Sequence, residues 1–278
     1  MARKVHNNNT ILVPIDFSDT AINALNHAIV IAKKYDNEIT LLHIEDEATE
    51  AEDKLLKIAS DLEKEHHIRI NTLFKSGKIA NVINEVAEAG NYDSIMMGSN
   101  GSSGIQLFMG SNASKVIRTA TVPVIVVKER NILEGYKKIV MPVDLTIESK
   151  QKVSWAVHLA QKFNSTIHVI YEEENDEYFQ RNIKASINQV AAILKDNNVA
   201  HELIKLDDKT YPGKLFEDTL QYAEKVDADL ILIMTQPEGN ILDFVIGSNA
   251  QYIVNKSEKV AVMVVQPSAT GFSFDFVG

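Results

Sequence analysis

The chain repeats its own sequence pattern, and this duplication constrains the fold more than any other feature. The sequence ILVPIDFS at residues 11–18 returns as IVMPVDLT at residues 139–146. In each half the motif is followed by a helix pattern with alanine on its apolar side, and further strand and helix patterns alternate in the same order. The last strand patterns are residues 122–127 and 260–265. The predicted element order is therefore β-α-β-α-β-α-β-α-β, written twice.

Strands that alternate with helices predict a mostly parallel sheet with right-handed crossovers. We therefore expect an α/β protein with two tandem domains, each a five-stranded, mostly parallel sheet with helices on both faces. The domains are predicted at residues 1–131 and 136–278. Because each half inherits the same self-complementary surface, we expect an internal pseudo-dimer with its seam along residues 122–127 and 260–265. A homodimer of chains is a further option, and two domains that barely touch are the alternative.

Composition excludes several classes of protein. Hydrophobic residues make up 45% of the chain and charged residues 24%, which is typical of a globular protein with a core. The net charge of −10, without a basic stripe, argues against a nucleic-acid or acidic-membrane partner. The absence of cysteine excludes disulfides and thiolate metal sites. Without a signal peptide or an apolar run of about 18 residues, a cytoplasmic location is expected.

A glycine-rich segment follows the apolar run of residues 94–97 and precedes a helix pattern. It contains Gly98, Gly101 and Gly110, and Ser111 follows the last of them. Glycines let backbone N–H groups approach an anion closely, and a helix N-terminus adds a partial positive charge. The order strand, glycine-rich loop and helix start therefore predicts a phosphate-binding site. The alternative is a surface loop whose glycines only form turns.

Five short motifs follow one another along the first half of the chain: VPIDFS, LLHI, MGSNG, GSN and VPVIVV. Together they resemble the universal stress protein family in its tandem two-domain form, and the resemblance covers nearly the whole chain. It implies a Rossmann-like α/β fold and a cytoplasmic protein of the stress response that binds an adenine nucleotide, ATP or AMP. A Mg²⁺ ion arriving with ATP is compatible with such a site, because phosphates and water would hold most of it.

The resemblance also implies site residues in the first half. Family members that bind ATP hold adenine and ribose with the aspartate that ends the first strand and with a residue just beyond the second strand. They hold the phosphates with the motif Gly-x2-Gly-x9-Gly-Ser/Thr. This placement agrees with the rule that open α/β sheets bind ligands beyond the carboxyl ends of their strands. Carried over by position, the expected ligand contacts are Ile15, Asp16, Ile44, Met97, Gly98, Gly101, Gly110, Ser111 and Asn112.

Two points in the first half leave alternatives open. Eight residues separate Gly101 from Gly110, one fewer than the family pattern, and Gly104 offers flexibility to absorb the difference. Asp16 suits recognition of ribose or adenine better than proton transfer, but it is also placed to cap the helix that starts near Asp19. His43 is either a core residue or part of the ligand wall.

The second half lacks the glycine-rich loop. Counting back from the Gly-Ser pair at residues 247–248 aligns Gly98 with Thr235 and Gly101 with Glu238. A carboxylate about 4 Å from a phosphate would be repelled by about 4 kcal/mol at an effective dielectric constant near 20. We therefore predict a degenerate phosphate loop and a structural role for this half, with Asp144 as a weaker candidate for ligand contact.

No metal site and no catalytic set emerges from the sequence. His66 and His67 are adjacent on a helix pattern, so their side chains point apart, and no His-x3-His spacing occurs. The chain has no Walker loop and no nucleophile elbow. Lys78 and Lys115 could reach phosphates, but lysines on the surface of helices are mostly solvated. We expect no enzyme activity beyond slow ATP hydrolysis.

Two functions compete on this sequence. In the first, the protein is a stress-response sensor or regulator with one working nucleotide site in its first half. In the second, it is a nucleotide-independent, stress-induced scaffold that acts through protein contacts. The tail at residues 271–278 carries three phenylalanines, which either fold back on the sheet or dock on a partner chain.

Overall fold

The structure is a computed structural model of the 278-residue chain. The residues it describes are 10–45, 50–90, 92–98, 111–130, 132, 134–144, 148–172, 176–206, 214–237, 244–245 and 248–267. The chain divides into two compact units: the first spans Lys4–Gly135, and the second contains Tyr136–Gly278. Each unit is an α/β structure with its own parallel sheet.

The first unit alternates strands and helices throughout its described part. Its sheet has the order β3-β2-β1-β4-β5, and its neighbouring strands all run parallel. The chain therefore moves from β1 outward to β3 and then returns to the other side of β1. The elements are β1 (Thr10–Pro14), α1 (Asp19–Tyr35), β2 (Glu38–Ile44), α2 (Glu50–His66), β3 (Ile70–Lys75), α3 (Ile79–Ala89), β4 (Ser94–Gly98), α4 (Ser111–Thr119) and β5 (Val124–Val127).

The second unit repeats this topology. Its parallel sheet has the order β8-β7-β6-β9-β12. A short antiparallel ladder, β10 with β11, is an addition that the sequence did not predict. The elements are β6 (Lys138–Pro142), α5 (Glu148–Phe163), β7 (Thr166–Glu172), α6 (Glu177–Asp196), β8 (Ala200–Leu206), α7 (Leu215–Lys225), β9 (Leu230–Met234), β10 (Gln236–Pro237), β11 (Phe244–Val245), α8 (Ser248–Lys256) and β12 (Ala261–Val265).

The predicted α/β fold with tandem five-stranded parallel sheets is confirmed. Thr10 pairs with Glu38 in the first unit, and Lys138 pairs with Thr166 in the second, so counterparts in this part of the two units lie 128 positions apart. The seam predicted along residues 122–127 and 260–265 stays a prediction. Within the described residues, no helix is both long and apolar enough to cross a lipid bilayer.

Local sequence explains why the first strand and helix form and where they end. Strand β1 is apolar throughout its middle, and Ile11, Leu12 and Val13 are almost completely buried, as expected for a sheet covered on both faces. Helix α1 begins after Ser18, whose side chain accepts a hydrogen bond from the N–H of Ala21. It ends at Tyr35 and is followed by the C-cap residue Asp36, which adopts the left-handed conformation with φ of 58°.

Candidate functional site

The carboxyl ends of β1 and β4 meet at the point where the strand order reverses. The two strands are parallel neighbours, with Leu12 opposite Ile95. Strands β2 and β3, which come next in the chain, lie on one side of β1, and β4 and β5 lie on the other. In open α/β sheets, the crevice at such a switch point is the usual place for a ligand. This edge of the first unit, beyond β1, β2 and β4, is here called the β1–β4 edge.

The structure places the described candidate residues at the β1–β4 edge or next to it. Ile15 is buried, and its N–H donates a hydrogen bond to the carbonyl of Leu42, close to the end of β2. Asp16 is exposed, whereas Ile44, Gly98 and Asn112 are half-buried and Met97 is buried. Ser111 and Asn112 form the first turn of α4. Gly101 and Gly110 lie outside the described residues.

Gly98 ends β4 in close contact with the start of α1. A Cβ atom at this position would lie 2.7 Å from the carbonyl carbon of Thr20, 2.8 Å from its oxygen and 2.9 Å from the backbone nitrogen of Ala21. All three are backbone atoms, so they cannot rotate out of the way. Glycine therefore lets the first turn of α1 pack directly against the strand end.

Asp16 is held in place by Ser18. Its Oδ1 accepts hydrogen bonds from the backbone N–H of Ser18 at 3.1 Å and from the Ser18 hydroxyl at 2.6 Å. The N-cap residue of α1 is Ser18 and not Asp16. The carboxylate is thus fixed at an exposed place on the β1–β4 edge, where it can accept hydrogen bonds from hydroxyl or amine groups of a ligand.

A stack of side chains supports the same edge from the side of β2. The imidazole of His43 donates from Nδ1 to the carbonyl of Ile15 at 2.8 Å, and its Nε2 lies 3.3 Å from Glu45 Oε2. The ring of Phe17 lies 5.0 Å from the ring of His43, and the Lys54 ammonium lies 4.3 Å from the centre of the Phe17 ring. Such cation–π contacts are worth about 0.5–1 kcal/mol at exposed sites.

Phe17 is in the left-handed region, with φ of 63°. This conformation costs about 1 to 2 kcal/mol in a residue other than glycine. Neither Phe17 nor Lys54 was predicted from the sequence to belong to the site. For Phe17 a signal was present, because it directly follows the candidate residue Asp16. Lys54 lies on α2, and no sequence signal connects it with the edge, because only the tertiary packing brings them together.

Replacing His43 with phenylalanine is expected to lower the free energy of unfolding by about 1–3 kcal/mol, because the buried Ile15 carbonyl loses its donor. The ring packing against Phe17 and Phe74 would be kept. Urea unfolding followed by far-UV circular dichroism measures the change. The matched control is His201→Phe, since His201 bonds to the carbonyl of Val199, two residues before it, and we expect a change within about 0.5 kcal/mol. Equal losses in the two variants would contradict the role assigned to His43.

The equivalent edge of the second unit lacks the glycine. In the first unit, Ile11 pairs with Ser94 and Gly98 with Val127. In the second, Ile139 pairs with Leu230 and Met234 with Val265. The strand register therefore places Met234, and not Thr235, at the position of Gly98.

The alignment of Gly98 with Thr235 was wrong because it was counted back from the helix start. Helix α4 begins 13 residues after Gly98, whereas α8 begins 14 residues after Met234, so the count slips by one. Beyond Met234, the segment forms β10, with Gln236 paired to Val245 and Pro237 to Phe244 in β11. A hydrogen-bonded ladder therefore begins where the first unit has its glycine-rich segment.

The chain matches proteins of one family in sequence and in fold. The model of the universal stress protein family matches residues 7–128 and again residues 135–266. A universal stress protein of Methanocaldococcus jannaschii is 33% identical over 138 aligned positions, which cover 43% of this chain and 81% of that protein. Universal stress protein G of Salmonella typhimurium is 31% identical over 142 positions, which cover 43% of this chain and 98% of that protein.

Among solved structures, a universal stress protein of Archaeoglobus fulgidus shares the fold. Its TM-score is 0.76 at 17% identity, and the match covers 95% of this chain and 100% of that one. The family model covers most of the chain in two consecutive copies, and each copy corresponds to one unit of parallel sheet. The chain therefore belongs to the universal stress protein family, in the tandem two-domain form.

Proposed function

We propose that the first unit binds an adenine nucleotide, ATP or AMP, at the β1–β4 edge, and that the protein is a sensor or regulator in the stress response. The observation that carries this proposal is the contact of Gly98 with the first turn of α1. This contact holds the backbone of Thr20, four residues after the exposed Asp16, against the end of β4 at the switch point. Membership of the universal stress protein family supports the same ligand.

In this proposal, different residues of the edge contact different parts of the ligand. Ile15, Asp16 and Ile44 contact adenosine, with the carboxylate of Asp16 accepting from the ribose hydroxyls. The phosphates lie on Met97, Gly98, Gly101, Gly110, Ser111 and Asn112, next to the N-terminus of α4, whose aligned peptide dipoles favour an anion. A Mg²⁺ ion would arrive with ATP and be held by phosphates and water. The site binds rather than catalyses, with slow ATP hydrolysis as its upper limit.

In this proposal the second unit has a structural role and does not form a second nucleotide site. Met234 replaces the glycine at the strand end, and the ladder of β10 with β11 replaces the start of a glycine-rich loop. Backbone N–H groups engaged in such a ladder are not directed at a phosphate. We therefore expect each chain to bind one nucleotide.

Replacing Asp16 with alanine is expected to weaken ATP and AMP binding by about 10- to 100-fold, because a hydrogen bond to a charged group contributes roughly 1.5–3 kcal/mol. The chain provides its own matched control in Asp144, the counterpart of Asp16 in the second unit, and Asp144→Ala should leave binding unchanged. Isothermal titration calorimetry on the full chain measures both variants. Two equivalents of nucleotide in the native chain, or equal losses in the two variants, would contradict a single site in the first unit.

A nucleotide-independent scaffold is the second candidate function. It is favoured by the exposed aromatic pair Tyr178 and Phe179 in the first turn of α6, whose residues are 68% and 46% exposed. Apolar groups left at the surface in this way are typical of protein-contact sites. A native chain that binds neither ATP nor AMP in calorimetry would favour this function over the first.

A further inference from the structure

Two large apolar side chains are exposed in the part of the first unit that the structure describes. Ile79 is 43% exposed and Leu56 is 46% exposed. A single apolar residue at the surface is ordinary and needs no explanation. Leu56, which lies within α2, fits this description. Ile79 differs because it is the first residue of α3, and this helix starts at the carboxyl end of the sheet.

Met97 and α1 lie on opposite sides of the first sheet. A Cβ atom on Gly98 would meet Thr20 in the first turn of α1, so position 98 faces that helix. Side chains alternate between the two faces along a strand, and Met97 therefore faces away from α1. The β1–α1–β2 and β3–α3–β4 connections cross the sheet in opposite directions, and right-handed crossovers then place α3 on the face opposite α1. Met97 thus points to the side of the sheet that α3 covers.

Ile44 points to the same face as Met97. Ile95, two residues before Met97, lies opposite Leu12 in β1, and Leu12 lies opposite Thr40 in β2. Paired residues of neighbouring parallel strands project to the same side of the sheet, and Ile44 is four residues after Thr40 on its strand. The two apolar candidates at the strand ends therefore both face the side of α3.

The second unit shows the equivalent contact directly. His168 of β7 lies opposite Val140 of β6, as Thr40 lies opposite Leu12 in the first unit. The Nδ1 atom of His168 lies 2.9 Å from the hydroxyl of Tyr222 in α7, the counterpart of α3. The face that the strand register assigns to α3 is thus the face that its counterpart occupies.

Helix α3 begins beside the end of β2, and it also contacts that strand. Ile44 pairs with Lys75, the last residue of β3, and Ile79 follows four residues later. Gly77, with φ of 126°, lies in the turn between them. Side chains on a helix lean toward its N-terminus, so Ile79 extends past the helix start over the carboxyl edge. Its exposed apolar surface therefore lies on the side of the edge to which Ile44 points.

We propose that Ile79 forms the outer wall of the adenine site, with the base lying between its side chain and Ile44. Ligand sites are lined mainly by apolar side chains with a few polar groups, and here Asp16 is the polar group that contacts the sugar. The exposed surface of Ile79 is the surface that the base covers. Ile79 is thus a specificity-determining residue that selects nucleotides over phosphorylated compounds without a base. The inference rests on the proposed function, which assigns adenosine to Ile44 and Asp16.

Two substitutions test this wall by calorimetry on the full chain. Ile79→Ala removes the proposed contact, and Leu56→Ala removes a side chain of similar exposure from α2. We expect ATP to bind about 10-fold more weakly to Ile79→Ala and with native affinity to Leu56→Ala. Ile79→Val keeps most of the hydrocarbon and should bind ATP within about 3-fold of the native chain. Equal ATP affinity in the native, Ile79→Ala and Leu56→Ala chains would overturn the proposal.

Inorganic triphosphate distinguishes the loss of a base contact from a general disturbance of the site. It carries the phosphates of ATP without base or ribose, so Ile79→Ala should leave its affinity unchanged. Equal losses for ATP and for triphosphate would mean that Ile79 acts through the position of α3 and does not contact the base, and the proposal would fail.

The same titrations separate this inference from the proposed function. A native chain that binds no ATP would contradict both. A chain whose ATP binding is weakened by Asp16→Ala but not by Ile79→Ala would keep the nucleotide site and remove Ile79 from it.

Discussion

Replacing Gly98 with alanine is expected to lower the free energy of unfolding by about 3 kcal/mol, in the upper part of the range for overpacked sites. The added Cβ would meet the backbone of Thr20 at 2.7 Å, inside any normal contact distance. The first turn of α1 would have to move away from β4. Because Asp16 is fixed to Ser18 at the start of that helix, the shift would also displace the proposed ligand contacts. We therefore expect loss of measurable ATP and AMP binding.

Gly90→Ala is the matched control for this substitution. Its added Cβ would lie even closer to a neighbour, 2.3 Å from a ring carbon of Tyr92, but a half-buried side chain can turn aside. We expect a loss below about 1 kcal/mol and unchanged nucleotide binding. Urea unfolding and calorimetry on both variants give the comparison. A Gly98→Ala chain as stable as Gly90→Ala, with native affinity, would show that the strand end tolerates a side chain.

Acid is expected to destabilise the native chain more than a His27→Gln variant, by about 3 kcal/mol between pH 7 and pH 4. His27 is fully buried on α1, and burial lowers its pKa to about 4, against 6.5 for the unfolded chain. The unfolded state therefore binds more protons over this range. The stability linked to neutral His27 is complete above pH 6.5 and is lost as the pH falls toward 4.

Glutamine keeps an N–H that can replace the donor of His27, whose Nε2 lies 2.8 Å from the carbonyl of Arg130. Carboxylates contribute to acid unfolding in both chains, so only the difference between them reports on His27. Urea titrations at intervals from pH 7 to pH 4 measure this difference. Parallel curves for the two chains would mean that His27 does not become protonated when the protein unfolds in this range.

Sequence reasoning reached the fold because its signals were local and occurred twice. The last strand of the first half was predicted at residues 122–127, and β5 lies at Val124–Val127, because an apolar run between a helix pattern and charged residues indicates a buried strand. Helix α1 could likewise be predicted from the alanines on its apolar side, and these alanines are buried in the structure. The candidate site was harder to predict from the sequence. The ends of β1 and β4 could be placed from the strand order, but the contact of Gly98 with Thr20 is a property of tertiary packing.

Sequence reasoning failed at two residues, Thr235 and Lys152, for different physical reasons. Thr235 was aligned with Gly98 because residues were counted through a segment of different length, which only the strand register corrects. Lys152 could have been noticed, since the repeat itself aligns it with Ala24. Its burial could not be predicted, because a lysine on a helix pattern is usually solvated, and only the structure shows it buried.

Helix α1 touches more than the candidate site. Its first turn packs on Gly98, while Asn23 and His27 donate hydrogen bonds to the carbonyls of Lys128 and Arg130, in the stretch that leaves β5 and leads out of the first unit. A 17-residue helix is a stiff rod about 25 Å long. Because such a helix is stiff, a displacement of its first turn is expected to shift Asn23 and His27 as well, and with them the carbonyls that they bind.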